Sequence, residues 1–232
     1  MPEDIAFITA RRAYEFRPDD LRLSMLSIKP IQDEIQKLFN FQSSSIGSPM
    51  RTFGEVQLTI PPGLVFNMGV WVSPGNQLLP IRFLNFEPRR IVIDVGGSSE
   101  AITPIFERLQ QFLAGLKAQD GSPPIGKPES ILDYSEISAR FPFPLDAIVS
   151  PPLRQLLSRI IKERVLVPTL VTQSFPGGQV LSGTANIGDH HAFTLAPRAG
   201  NRIEDHKYFS GAPLDTEAHL SYLNELEAAL TS

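Results

Sequence analysis

Residues 88–116 read PRRIVIDVGGSSEAITPIFERLQQFLAGL, and their pattern changes from that of a strand to that of a helix. The apolar run from Ile91 to Val95 predicts a buried strand, and the Gly-Gly-Ser-Ser sequence after it predicts a turn. Apolar residues then recur every three or four positions, which is typical of an amphipathic helix: Ile102, Ile105, Phe106, Leu109, Phe112, Leu113 and Leu116. We expect this helix to begin at Thr103 or Pro104, with Thr103 as its N-cap, because proline suits a first helical turn.

The residues before this stretch predict one more helix and several strands. A short strand is expected at 5–16, and Leu21, Leu23 and Met25 alternate with polar residues as a half-buried strand does. Pro30 should open a helix. Alternating or continuous apolar residues then predict three strands, at 55–60, 64–72 and 79–86.

The residues after the stretch follow a similar order. Residues 118–130 are polar and rich in glycine and proline, which is typical of a linker. A helix should begin at Pro151 or Pro152, and a final helix should be capped by Asp215 or Thr216. Between these two helices, apolar runs predict strands, at 165–175, 179–187, 191–196 and 203–209.

These elements predict an α+β protein in which antiparallel β-sheets are each covered on one face by two helices. The expected domains are an N-terminal α+β half (1–117), a linker (118–130) and a C-terminal half of similar element order (131–232). Corresponding elements lie roughly 115 residues apart, so one interpretation is a pair of tandem βαβββα halves. The alternative is that a common layout occurs twice without duplication, because few residues are identical between the halves.

Composition narrows the class of protein further. The chain has 232 residues, 42% of them hydrophobic, which is enough to bury a substantial core. It contains no cysteine, which excludes disulfides and thiolate chemistry and fits a cytoplasmic location. No signal peptide or membrane-spanning segment is expected. The net charge of −4 disfavours non-specific nucleic-acid binding.

The turn after the predicted strand at 90–95 is the sharpest motif. Its sequence, Ile-Asp-Val-Gly-Gly-Ser-Ser-Glu at 93–100, resembles the second phosphate loop of the actin-like ATPase superfamily of sugar kinases, Hsp70 and exopolyphosphatases. The resemblance implies that Asp94 is a metal-associated acid and that Gly96, Gly97 and Ser98 cradle a phosphate, with Ser99 beside them. Backbone N–H groups at such a turn form an anion-binding nest. The alternative is a connecting turn in which glycine permits positive φ.

The four histidines lie late in the chain, close to carboxylates such as Asp189, Glu204 and Asp205: His190, His191, His206 and His219. Histidine and carboxylate side chains together can bind zinc or another divalent ion. Their spacing matches no metal-binding motif, and adjacent residues of a strand point to opposite faces. We therefore expect surface or strand-end histidines, and no metal site or cofactor.

One charge asymmetry points to a binding function. The helix after Ser150 has a basic face, and the last helix is acidic. The basic face comprises Arg154, Arg159, Lys162 and Arg164. Such faces can steer self-association or binding to another protein. Since no catalytic constellation is recognisable, the sequence favours a non-enzymatic protein-interaction module: an adaptor, regulator or assembly component. The alternative is a phosphate- or nucleotide-binding enzyme that uses Asp94–Ser99.

Overall fold

The computed structural model describes residues 2–47, 50–53, 56–59, 63–116, 121, 123–144, 170–173 and 192–231. The chain divides into two compact units: an N-terminal unit, Thr9–Asp133, and a C-terminal unit that combines Met1–Ile8 with Tyr134–Ser232. All the strand pairings described are antiparallel. The predicted α+β class with antiparallel strands is therefore confirmed. The finer pattern, with two helices on each sheet and tandem halves, stays a prediction.

The N-terminal unit contains most of the described strands and three helices. Its elements are β1 (Glu3–Glu15, of which residues 3–8 belong to the other unit), α1 (Leu23–Leu26), α2 (Lys29–Leu38), β2 (Ser43–Gly47), β3 (Met50–Phe53), β4 (Val56–Thr59), β5 (Gly63–Val72), β6 (Leu78–Glu87), β7 (Arg90–Val95) and α3 (Ile102–Ala114). Within this unit the neighbouring strands are β2-β5-β6-β7-β1, and among the described residues β3 and β4 pair as a separate two-stranded sheet.

The core of this unit forms where the alternating strands meet the helices. Alternate residues of β7, beginning with Ile91, are fully buried in the same apolar cluster as the stripe of α3. The Tyr14 ring stacks on Phe106 of α3 with 3.6 Å between ring centroids. Next to α2, Phe39 is buried and contacts the half-buried Trp71 of β5. The helices thus share one face of the sheet, and we call the opposite face the outer face.

The C-terminal unit contains most of the remaining described strands and one described helix. Its elements are β8 (Ser130–Arg140, whose first residues belong to the N-terminal unit), β9 (Leu170–Gln173), β10 (Ala192–Pro197), β11 (Lys207–Ala212) and α4 (Thr216–Thr231). The strand neighbours are β8-β11-β10-β9. Leu223 of α4 belongs to the same buried apolar cluster as Ile137, Leu195 and Tyr208 of the strands. The Asp215 carboxylate accepts a hydrogen bond of 2.8 Å from the Ala218 N–H, so Asp215 caps α4 as predicted.

Three predicted elements are wrong in detail. Leu23 and Met25 belong to the short helix α1 and not to a strand, since a spacing of three also places Leu23 and the buried Leu26 on one helical face. Helix α3 begins at Ile102 without a side-chain cap, preceded by a 3₁₀ turn at Ser99–Ala101. The strand expected at 203–209 is a 3₁₀ turn at Ile203–Asp205 followed by β11.

Several predictions fall on segments that the structure does not describe. The helix expected after Ser150, with Arg154, Arg159, Lys162 and Arg164, lies outside the described residues. The strand expected at 179–187 does too. Of the predicted linker, residues 121 and 123–130 are described and lie within the N-terminal unit. There Ile125 is buried, and the Gly126 N–H donates a hydrogen bond of 2.7 Å to the Asp20 carbonyl.

Candidate functional site

The glycines of the predicted phosphate turn have a steric reason to be glycine. A Cβ atom on Gly96 would lie 2.9 Å from Cγ of Pro80 on the neighbouring strand β6. Gly97 has a φ of 144°, a backbone conformation that residues with a side chain rarely adopt. The Gly96 N–H donates a hydrogen bond of 2.9 Å to the Pro80 carbonyl, so this amide belongs to the link between β7 and β6. These contacts account for both glycines without a ligand.

The two serines of the turn begin the helix. The Ser98 hydroxyl accepts a hydrogen bond from the Glu100 N–H at 3.4 Å and so caps the 3₁₀ turn, and Ser99 is buried. Because that turn runs directly into α3, the helical segment starts at Ser99, with Ser98 as its N-cap. The exposed Glu100 adds negative charge at this point, which disfavours a phosphate.

Asp94 lies on the outer face, away from the helix that follows the turn. Its carboxylate is 1% exposed. Oδ2 accepts hydrogen bonds from Nε of Arg11 at 2.9 Å and from its terminal nitrogen at 2.8 Å. Oδ1 lies 3.0 Å from the Thr9 hydroxyl, whose single proton it shares with the Val95 carbonyl at 2.8 Å. The buried charge is thus balanced by its cross-strand partner Arg11, whose guanidinium lies 5.2 Å from the Phe83 ring.

The five candidate ligand-binding residues are therefore neighbours in sequence that divide between two faces of the sheet. Asp94 is held by β1 on the outer face, whereas Ser98 and Ser99 start the helix that covers the inner face. A metal at Asp94 would have to compete with Arg11. Sequence reasoning missed Thr9 and Arg11, and no local signal marks them because only the pairing of β1 with β7 brings them to Asp94.

A second polar cluster ties β1 to the start of α3. Nε of Arg12 lies 2.7 Å from one Asp133 oxygen, and a terminal nitrogen lies 3.2 Å from the other, so the ion pair is bidentate. The remaining terminal nitrogen donates to the Thr103 hydroxyl at 2.8 Å. Thr103 thus accepts from β1 instead of capping the helix. Burial raises the pKa of the neighbouring Tyr14 phenol, which keeps it protonated.

His219 forms the one fully buried histidine cluster in the described parts of the chain. Its Nδ1 lies 2.8 Å from the Ser135 hydroxyl of β8, and its Nε2 lies 2.8 Å from the Ser210 hydroxyl of β11. Because the Ser210 hydroxyl donates to the Thr194 carbonyl at 2.9 Å, we assign the proton to Nε2, with Ser135 donating to Nδ1. Burial lowers the pKa of His219 to about 4, so the ring is neutral at pH 7.

A serine beside a neutral histidine resembles a nucleophile and its base. Here the ring has no exposed surface, so a substrate cannot reach it. His206 lies between β10 and β11, while His190 and His191 are outside the described residues. Within the described ranges, no group of three or more histidine, cysteine or acidic side chains could hold a metal ion.

Exposed apolar side chains form the other candidate surface. On the outer face near the β5–β6 turn, Val72 lies opposite Leu78, and Val70 lies opposite Pro80. Leu78 is 73% exposed and Val72 46%. Among the described segments, no helix is long and apolar enough to cross a lipid bilayer.

Similarity to other proteins assigns this chain to no family. No protein-family model matches the sequence. A comparison with curated proteins also found no match. Its function must therefore be inferred from its own side chains.

Proposed function

We propose that this protein is a non-enzymatic protein-interaction module: an adaptor, regulator or assembly component that binds another protein or a second copy of itself. The observation that carries the proposal is the exposed apolar surface on the outer face of the β5–β6 hairpin, formed by Val70, Val72, Leu78 and Pro80. We call it the hairpin surface. Since the chain contains no cysteine, the proposal includes a cytoplasmic location.

The hairpin surface has the character of a contact site because its apolar residues are adjacent. Val72 and Leu78 are cross-strand partners, and so are Val70 and Pro80, which makes the patch continuous. Contiguous exposed apolar patches mark interaction sites more often than scattered apolar residues do. Strand β5 also contains Met68, whose side chain is 64% exposed and whose backbone has a positive φ of 55°. Strained backbone of this kind concentrates at functional positions.

The polar clusters support a binding function over catalysis. Asp94 is neutralised by Arg11, and His219 is held between Ser135 and Ser210 without solvent access. Active sites need titratable groups that reach a substrate. In the described part of the chain, the buried Asp94 carboxylate and the buried His219 imidazole instead stabilise the packing of strands and helices.

The test is site-specific photocrosslinking in the protein's own cells. A photoreactive phenylalanine analogue replaces Leu78, and the control places it at Arg108, which is exposed on α3. We expect a discrete crosslinked product at position 78, with another protein or with a second copy of the chain, and none at position 108. Absence of a product at position 78 would contradict the proposal.

The second candidate is a phosphate- or nucleotide-binding enzyme that uses Asp94, Gly96, Gly97, Ser98 and Ser99. One observation favours it: the helical segment begins at Ser99, so first-turn N–H groups follow the glycines directly. A Ser98→Ala variant that loses pyrophosphate binding in calorimetry would support this site. Unchanged binding in that variant would argue against it.

We also propose that the two units derive from tandem βαβββα halves, each with a sheet covered by two helices. In each predicted half the first described strand pairs with the last, β1 with β7 and β8 with β11, and a helix follows that last strand. The antiparallel series β5-β6-β7 corresponds to β9-β10-β11. A crystal structure tests this: a helix between β8 and β9 that packs as α2 does would support duplication, and its absence would contradict it.

A further inference from the structure

A row of three basic residues crosses three neighbouring strands of the C-terminal unit. Arg140, the last residue of β8, is the cross-strand partner of Lys207, the first residue of β11. Arg198 follows β10, and its N–H donates a hydrogen bond of 2.9 Å to the Lys207 carbonyl. The three residues therefore occupy one register across the sheet, and we call them the basic row.

The basic row lies on the face of the C-terminal strands that is opposite α4. Tyr208 and Ala139 belong to the core cluster that contains Leu223 of α4. Because successive strand residues alternate between faces, Lys207 and Arg140 must lie on the other side. The Arg198 side chain confirms this, since its guanidinium donates to the buried Ser138 hydroxyl at 3.1 Å, and Ser138 shares the face of Arg140.

Little negative charge lies near the row in the described residues. Asp4 accepts from Arg140 at 2.8 Å, and both side chains are about half exposed. Asp205 turns to its own loop, where its carboxylate accepts from the Arg202 N–H at 3.2 Å. Glu136, farther along β8, accepts from the Tyr134 hydroxyl. Asp4 thus offsets one of three positive charges.

In the N-terminal unit, a comparable row of charged cross-strand neighbours alternates in sign. There Glu15 of β1, Arg90 of β7 and Glu87 of β6 are cross-strand neighbours on the outer face, so their charges alternate. Nε of Arg90 lies 2.7 Å from the Glu87 carboxylate. Like charges directly opposite each other destabilise a sheet, whereas opposite charges stabilise it. We therefore expect the basic row to lower stability unless an anion binds it.

We propose that the basic row is a binding site for a phosphate group. Two guanidinium groups and one ammonium can donate to several phosphate oxygens at once. The paired N–H donors of a planar guanidinium match the spacing of two phosphate oxygens. The two uncompensated charges suit a multiply charged phosphate better than a carboxylate. Phe209 lies on the same face two residues beyond Lys207 and is half-buried, so it offers an apolar floor for the part of a ligand next to the phosphate.

The test is calorimetric titration of the full chain at low salt with inorganic pyrophosphate and with ADP, in which a ribose joins the diphosphate to an aromatic base. Lys207→Gln and Arg198→Gln should each weaken binding about tenfold, because each removes a charged hydrogen bond. Arg108→Gln, the same change on exposed α3, should have no effect. Asp4→Asn should strengthen binding, since it frees Arg140 and asparagine tolerates the positive φ of 48° at this position. ADP should bind more tightly than pyrophosphate if Phe209 contributes.

Two results would overturn the proposal. One is the absence of binding at millimolar pyrophosphate. The other is binding that Ser98→Ala weakens and Lys207→Gln does not, which would place the ligand at the Gly96–Ser99 turn. Melting of the ligand-free protein tests whether the residues of the basic row repel one another. Lys207→Gln should raise the melting temperature at low salt, and this increase should disappear at high salt. A lower melting temperature for Lys207→Gln would contradict the repulsion on which the site depends.

Discussion

The two units bury polar side chains in opposite ways. In the N-terminal unit, Asp94 forms an ion pair with Arg11, which lies directly opposite it in the neighbouring strand. In the C-terminal unit, His219 gives up its charge and is held by two serine hydroxyls. A buried charge is tolerated when its partner is close and well oriented, whereas an isolated buried histidine is neutral.

The two clusters should therefore respond differently to mutation and to acid. The Asp94 cluster depends on an ion pair, so it should fail when one partner is removed. The His219 cluster depends on the ring remaining neutral, so it should fail when protons are added. The predictions below separate these two behaviours.

The largest expected effect is that of Asp94→Ala. It leaves the partly buried Arg11 without its partner, and we expect a loss of about 3 kcal/mol in the free energy of unfolding. Asp94→Asn should lose less, because its amide oxygen can still accept from Arg11 while its NH2 group faces the Thr9 hydroxyl, and only the charge of the pair is removed. Urea unfolding measures both values. A loss below about 1 kcal/mol would show that the pair contributes no more than an exposed one.

The second prediction concerns pH. The unfolded chain protonates His219 near pH 6.5 and the folded chain only near pH 4, so stability is complete above 6.5 and falls as the pH drops toward 4. The full loss is roughly 3 kcal/mol. His219→Gln should remove this part of the pH dependence, and His206→Gln should keep it. Urea unfolding between pH 7 and 4 measures the slope, and equal slopes in wild type and His219→Gln would contradict the assignment.

The third prediction compares single hydrogen bonds in the two clusters. Ser210→Ala leaves the Nε2–H of His219 buried without an acceptor, and we expect a loss of about 2 kcal/mol. Thr9→Val should lose only about 1 kcal/mol, because Asp94 keeps its bonds to Arg11. Denaturation at pH 7 tests this order. A larger loss for Thr9→Val would mean that the hydroxyl, and not Arg11, holds the Asp94 carboxylate.

The smallest expected effect is that of an exposed ion pair. Asp33→Asn removes the contact of 2.7 Å between Asp33 and Lys29 on α2. Since both side chains are largely exposed, the loss should be below about 0.5 kcal/mol and should disappear in high salt. Urea unfolding at two ionic strengths measures it. A loss comparable to that of Asp94→Ala would remove the distinction between buried and exposed pairs.

The sequence predicted the elements better than their contacts. The stripes of α2, α3 and α4 and the alternation in β5, β6 and β7 are local patterns, and the structure has these elements where they were expected. Helix α1 was misread because one short turn carries too few residues to distinguish a period of 3.6 from a period of two.

The candidate site was harder to predict because its contacts are long-range. Asp94 meets Arg11 and Thr9 across 83 and 85 residues of sequence. Ser135 and His219 are 84 residues apart. Only strand register fixes such pairs, and register depends on the whole sheet. The glycines of the turn were recognisable, but their contacts with Pro80 and Leu79 on β6 were not.

Trp71 gives the molecule a built-in spectroscopic reporter. It is the single tryptophan of the chain, and its ring centroid lies 6.1 Å from that of Phe39 in the N-terminal unit. Its emission spectrum therefore follows solvent entry into that unit, whereas far-ultraviolet ellipticity averages over both. Asp94→Ala should shift the fluorescence midpoint first, and acidification should shift the ellipticity first. Two optical signals from one unlabelled sample can thus show which unit unfolds first.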